Sequence, residues 1–197
     1  MGRLGFPVLL CTLVSLAAGC ASTPPSHFYT LSATAAPSTA AASSLVIVVG
    51  PVSVPAVVDR PEIVVSSGSN ELKLDEFNRW ASPLQDNLAR VIAENLVAIL
   101  GTRRVTLFPQ MPSTVAQYRV AIEVHGFESA IGTSTTLDAV WTVRRTTDGS
   151  AETGRTSVRE SVLNNSYDAI AAAHSLAVAR LSQDIADAVR ALDRAAP

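Results

Sequence analysis

Two cysteines and three histidines are the residues of this 197-residue chain best suited to nucleophilic or metal chemistry. Cys11 lies in an apolar run from Phe6 to Ala18 that follows Arg3, the pattern of an export signal. Cys20 comes directly after the small residues Ala17-Ala18-Gly19 that close that run. Once the signal is removed, Cys11 goes with it, and no thiol remains to pair with Cys20 in a disulfide or a thiolate metal site. His27 lies in a stretch dominated by Ala, Ser, Thr and Pro. His125 lies on the polar face of an alternating segment. His174 follows Ile170 by four positions on an apolar helical stripe, where a core histidine is the more ordinary reading than a ligand. HExxH, CxxC, G-x-S-x-G and glycine-rich phosphate loops are all absent. The residues therefore predict no catalytic group, no metal and no cofactor, and the chain does not read as an enzyme.

The elements around these residues suggest one domain behind a tether. The formal charge of −2 offers no basic patch for nucleic acid. Residues 1–19 read as the signal peptide. Residues 20–44, poor in charge and bulky apolar side chains, read as a flexible spacer, since they bury too little to offset chain entropy. Inside the spacer, His27-Phe28-Tyr29-Thr30-Leu31 is aromatic enough to form a short edge strand. The folded domain is expected over residues 45–197.

Within that domain, Leu45-Val46-Ile47-Val48-Val49 reads as a strand covered on both faces, ending at Gly50-Pro51. Glu62–Ser66 and Glu71–Asp75 read as strands about a Gly68-Ser69-Asn70 turn. The period then changes. Ser82, Pro83 and Gln85 resemble a capping box, Leu84, Leu88, Val91, Ile92 and Ile99 make one face, and Gly101 suits the end of a helix. Arg104–Phe108 reads as a strand. Tyr118, Val120, Ile122 and Val124 alternate with polar residues, and Leu137, Ala139, Trp141 and Val143 share a face of the strand returning from a Gly132-Thr133 turn. Arg155–Asn165 reads as a further strand. A long Ala-rich helix follows, capped by Ser166 or Asp168, with Ile170, Ala177, Val178, Leu181, Ile185, Val189 and Leu192 inward and Arg180 paired with Asp184 outward. The expected fold is α/β (α+β), one mixed sheet packed against two long helices.

Phe77-Asn78-Arg79-Trp80 is the segment best equipped for contact with another protein. Aromatic residues and arginine anchor interfaces, which makes Phe77, Arg79 and Trp80 the candidate partner-binding residues. The competing reading is a staple that fixes the entry angle of the first helix, and both stay open at this level. Trp141 reads as core.

Leu16-Ala17-Ala18-Gly19-Cys20-Ala21-Ser22 resembles the lipobox of bacterial lipoproteins, with Ala17 where leucine is usual. The resemblance implies that Cys20 becomes the acylated first residue. Ala21, rather than Asp, implies sorting to the outer membrane. Further segments resemble the ABC-type transport auxiliary lipoprotein family of PqiC-like outer-membrane lipoproteins. They are the run from His27 to Leu31, Val49-Gly50-Pro51-Val52 running on to Pro55, Asp59-Arg60-Pro61, Glu76 to Leu84, Asn87-Leu88, Glu94-Asn95-Leu96, and Ala173-His174-Ser175 with Leu181-Ser182 and Asp184-Ile185-Ala186. This second resemblance implies a periplasm-facing accessory subunit of a lipid transport system, tied to membrane integrity. Its partners would be an MCE-domain protein spanning the periplasm and the inner-membrane permease of that protein. By analogy, a homo-oligomeric ring at the partner's tip is also open. The rival readings are an activator of a cell-wall synthase, an aid to outer-membrane assembly, and a tethered hydrolase.

Overall fold

A computed structural model describes residues 24–39, 43–110 and 116–196. The signal peptide and Cys20 lie outside the described residues. In chain order the elements are β1 (His27–Tyr29), β2 (Ile47–Ser53), β3 (Glu62–Ser66), β4 (Leu72–Trp80), α1 (Leu84–Leu100), β5 (Val105–Leu107), β6 (Tyr118–Ala130), β7 (Ser134–Arg145), β8 (Ala151–Ser161) and α2 (Tyr167–Arg194).

The fold is α+β with two long helices, as the sequence pattern predicts, but the strands divide between two mixed sheets instead of one. One has the order β5-β2-β6-β7-β8, the other β1-β4-β3. The reason lies in strand edges. The apolar strand β2 is parallel to β5 on one side and to β6 on the other, so neither of its edges is open to β3. The chain leaves β2 through Pro55, whose carbonyl accepts from the Val58 and Asp59 amides, and β3 then pairs only with β4. β4 continues to Trp80, beyond the expected end at Asp75. Its register slips between the pairs Ile63–Asp75 and Glu62–Arg79. The extra residues wrap Asp75, whose Oδ1 accepts from the amides of Phe77 and Asn78 at 3.0 and 3.2 Å. A bulge of this kind bends the strand and turns its end away from its partner.

Both helices cover the same face of the five-stranded sheet. The stripes expected from the 3.6-residue period are the buried ones: Leu84, Leu88, Val91, Ile92 and Ile99 on α1, and Ile170, Ala177, Val178, Leu181, Ile185 and Val189 on α2. Gly101 ends α1 at φ 65°, and Ser166 caps α2 by accepting from the Ala169 amide at 3.1 Å. Some local expectations are corrected. α1 has no side-chain cap, because the N-cap position falls on Pro83 instead of Ser82 and proline carries no side-chain acceptor; the Gln85 amide donates to Asp59 Oδ2 at 3.1 Å. Arg180 reaches Glu160 of β8 at 2.6 Å instead of Asp184, which accepts from Thr156. The β6–β7 connection runs through residues 131–133, with Gly132 at φ 64° in its middle. β8 begins at Ala151, earlier than expected. Its Gly154 lies under the Trp141 indole, where an added Cβ would come within 2.3 Å of the ring.

The largest correction concerns residues 24–39. The short edge strand expected within His27–Leu31 is present as β1, but the residues after it, expected as spacer, form an arm laid along α1 and α2. Leu31 is completely buried. The arm's backbone is held by side chains of the two helices. Leu31 N donates to Asn87 Oδ1 at 3.3 Å, Ser32 N to Ser175 Oγ at 3.1 Å, and Thr34 N and Ala35 N to Asn95 Oδ1 at 3.1 Å. Ser38 N adds a 2.8 Å bond to Ala98 O. A polar, small-residue segment is ordered here because its partners supply the hydrogen bonds it cannot make with itself.

Candidate partner-docking site

Three separate segments meet at one end of the three-stranded sheet. β1 runs parallel to the end of β4, pairing Phe28 with Arg79 and Tyr29 with Trp80. The Trp80 amide donates to Pro61 O at 2.7 Å and the Ala81 amide to Tyr29 O at 2.8 Å. Tyr29 OH donates to Asn78 Oδ1 at 2.8 Å, and its ring sits 6.0 Å from that of Tyr167. A surface hollow of about 370 Å³ lies between Asp59-Arg60-Pro61 and Trp80-Ala81-Ser82-Pro83. The sequence segments at 27–31, 59–61 and 76–84, far apart in the chain, therefore form one corner.

The three candidate residues divide at this corner. Trp80 is buried, 5% exposed, with its ring edge-on to Phe127 at 6.1 Å. It has the packing that the staple reading requires. Phe77 and Arg79 are half-buried. Arg79 Nε donates to Glu76 O at 2.7 Å, and its guanidinium stands 3.9 Å from Glu62. The most exposed aromatic at the corner is Phe28, at 65%, directly across the strand pair from Arg79. Sequence reasoning placed Phe28 in a strand but gave it no contact role. The available signal was the alternation of His27-Phe28-Tyr29, which turns Phe28 away when Tyr29 faces the helix.

Asp75 stiffens the base of the corner. Burial alone would raise its pKa. Hydrogen bonds from Tyr167 OH, at 2.8 Å, from Asn78 and from the two backbone amides outweigh that and hold the carboxyl below its usual range. Burial, then the bond to Asp75, pushes the Tyr167 phenol up, so it stays a donor.

Among the described residues, neither His125 nor His174 is paired with both a nucleophile and an orienting carboxylate. His125 is exposed beside Glu123 at 3.2 Å. His174 is fully buried, stacked on Phe127 with centroids 3.7 Å apart, and its Nε2 lies 2.9 Å from Ser129 Oγ. A serine–histidine pair suggests acyl transfer, but His174 Nδ1 has no partner among the described residues, so no carboxylate orients the ring. Burial lowers the His174 pKa to about 3. The ring is thus neutral in the fold, while the unfolded chain takes up a proton below about 6.5. Stability present at neutral pH is lost as the pH falls from 6.5 towards 3, by ~1.4 kcal/mol per unit. Urea melts between pH 7 and pH 5 should show that slope in the wild type and its loss in His174→Gln. Equal slopes would place the titration elsewhere.

An ordered N-terminal arm, a helix-on-sheet core and a polar–aromatic corner are the features this fold presents. The sequence matches the pattern of the family described as ABC-type transport auxiliary lipoprotein component over residues 29–186, and the chain belongs to that family. It is thereby an auxiliary component of an ABC-type transport system. The matched span begins in β1, in keeping with an arm that is part of the domain. No curated protein matches the sequence. A solved structure of an uncharacterised protein superposes with a TM-score of 0.69 at 17% identity, covering 84% of this chain and 99% of its own. Protein XCC0632 from Xanthomonas campestris superposes with a TM-score of 0.65 at 19% identity, covering 81% and 92%. These likenesses extend to the fold. Among the described residues no helix is long and apolar enough to cross a membrane.

Proposed function

We propose that this protein is an outer-membrane-anchored, periplasm-facing lipoprotein that docks a partner in an intermembrane lipid transport system. The partner is an MCE-domain protein that reaches across the periplasm from an ABC-type inner-membrane permease. Family membership over residues 29–186 is the observation that carries this reading. The lipobox-like run ending at Cys20 supports the anchor, and the corner bearing Phe28, Phe77 and Arg79 supports docking. The ordered arm adds a geometric constraint. Only residues 21–26 separate Cys20 from β1, so the corner lies within ~25 Å of the acylated residue. A partner reaching this corner approaches close to the membrane. Two or more acyl chains on Cys20 would hold firmly, since each buried methylene contributes ~0.8 kcal/mol.

Crosslinking in intact cells followed by copurification tests the partner. Recovery of an MCE-domain protein is the expected result, and recovery of a cell-wall synthase in its place would replace the transport reading. Cys20→Ser should lose all acyl mass by mass spectrometry, leave the membrane fraction and fail to complement a deletion, while melting like the wild type. Complementation by the unlipidated variant would defeat the anchored role.

A further inference from the structure

The helices leave the other face of the five-stranded sheet open. Alternation along β6 and β7 places Tyr118 and Val120, Val143 and Arg145 on the helix side, and Arg119 and Arg144 on the open side. Arg119 and Arg144 are directly opposite in the antiparallel register. Like charges in that relation are destabilising, and this sheet does not relieve them. Among the described residues neither arginine makes an ion pair. The Arg119 guanidinium lies 6.0 Å from the Phe108 ring centroid, and Arg144 donates to Gly149 O at 3.0 Å. Arg155, on the same sheet face, is by contrast neutralised by Asp138, with bonds of 2.8 and 2.6 Å. The next row of the sheet brings Thr142 opposite Thr153, with their hydroxyl oxygens 3.0 Å apart. That bond uses one of the two hydroxyl hydrogens and leaves the other free to donate. Over Ala121, between the arginines and Thr142, lies a hollow of about 180 Å³.

We infer that this hollow binds a phosphate group, held by Arg119 and Arg144 and by the Thr142 hydroxyl, whose hydrogen is free for it when Thr153 donates within the threonine pair. A lone carboxylate is matched by one guanidinium fork. Two forks and a hydroxyl match the several acceptor oxygens of a phosphate. The group could arrive as a phospholipid headgroup or as free phosphate. The headgroup source rests on the lipid-transport reading above, whereas the phosphate site does not.

The test is calorimetric titration of the full lipidated chain in maltoside micelles. The probes are inorganic phosphate, dihexanoyl-phosphatidylglycerol, and dihexanoylglycerol as the phosphate-free control. Saturable binding of the phosphate-bearing probes is expected, weakened ~10-fold by R119Q or R144Q and ~100-fold by both changes together. The double variant should melt at or above the wild-type temperature, because a like-charge pair has gone. Tighter binding of the lipid than of inorganic phosphate assigns the headgroup as the source, and equal binding assigns free phosphate. Three results would each overturn the inference: no saturable binding of either phosphate-bearing probe, unchanged affinity in the double variant, or equal binding of the phosphate-free control. Copurification of an MCE protein without phosphate binding removes this site alone. Phosphate binding without that partner removes the transport reading alone.

Discussion

Trp80→Ala will lower the unfolding free energy by ~3–5 kcal/mol, the range for truncating a buried large aromatic. That is a large share of the ~5–15 kcal/mol by which a domain is stable. The ring is 5% exposed and sits edge-on against Phe127, which in turn stacks on His174 at 3.7 Å. Removing it leaves a cavity where the three-stranded sheet meets β6, and neither neighbour can collapse inward freely. The partner corner differs in kind. Arg79→Ala and Phe28→Ala touch half-buried and exposed side chains, so the wild-type melting midpoint should hold while capture of the partner weakens. Chemical melts and crosslinking yields, measured on the three variants together, separate the two roles of this segment. Wild-type melting of Trp80→Ala would remove the staple. Undiminished crosslinking of both surface variants would remove the docking corner.

The sequence announces those parts of the fold whose cause is local. The stripes of α1 and α2, the αL glycine at Gly101 and the alternation in β6 and β7 all follow from neighbours within a few turns or residues. The division into two sheets does not. It depends on which strand fills each edge of β2, a competition among β3, β5 and β6 that no short window records. The bulge at Asp75 depends on a side chain accepting its own downstream amides and receiving Tyr167 from the far end of the chain. The candidate site was half legible. An aromatic and arginine run drew attention to Phe77–Trp80, but burial of Trp80 depends on Phe127. Exposure of Phe28 depends on β1 pairing in parallel with β4. The family resemblance picked out Asn87, Asn95, His174 and Ser175 with no physical reason attached. The arm supplies it for Asn87, Asn95 and Ser175, which hold its backbone, and packing against Phe127 and Ser129 supplies it for His174.

Asn95→Leu will release that arm. Asn95 is completely buried on the apolar side of α1, a position at which its pattern asks for an aliphatic residue. Its Oδ1 accepts from Thr34 N and Ala35 N, and its Nδ2 donates to Ser182 Oγ at 3.2 Å on α2. Leucine is close in volume and a better helix former, so a reading by hydrophobicity alone predicts a gain. Polar satisfaction predicts the reverse. Two part-buried arm amides and the buried Ser182 oxygen lose their partner, at ~1–3 kcal/mol for a group that stays out of water and less for an amide that water can reach. Amide exchange should therefore quicken at Thr34 and Ala35 well before it quickens in the β6–β7 ladder, with the melting midpoint lowered. Wild-type protection at those two amides in Asn95→Leu would show that the arm is held by Leu31 and the remaining contacts, and that the buried asparagine is dispensable.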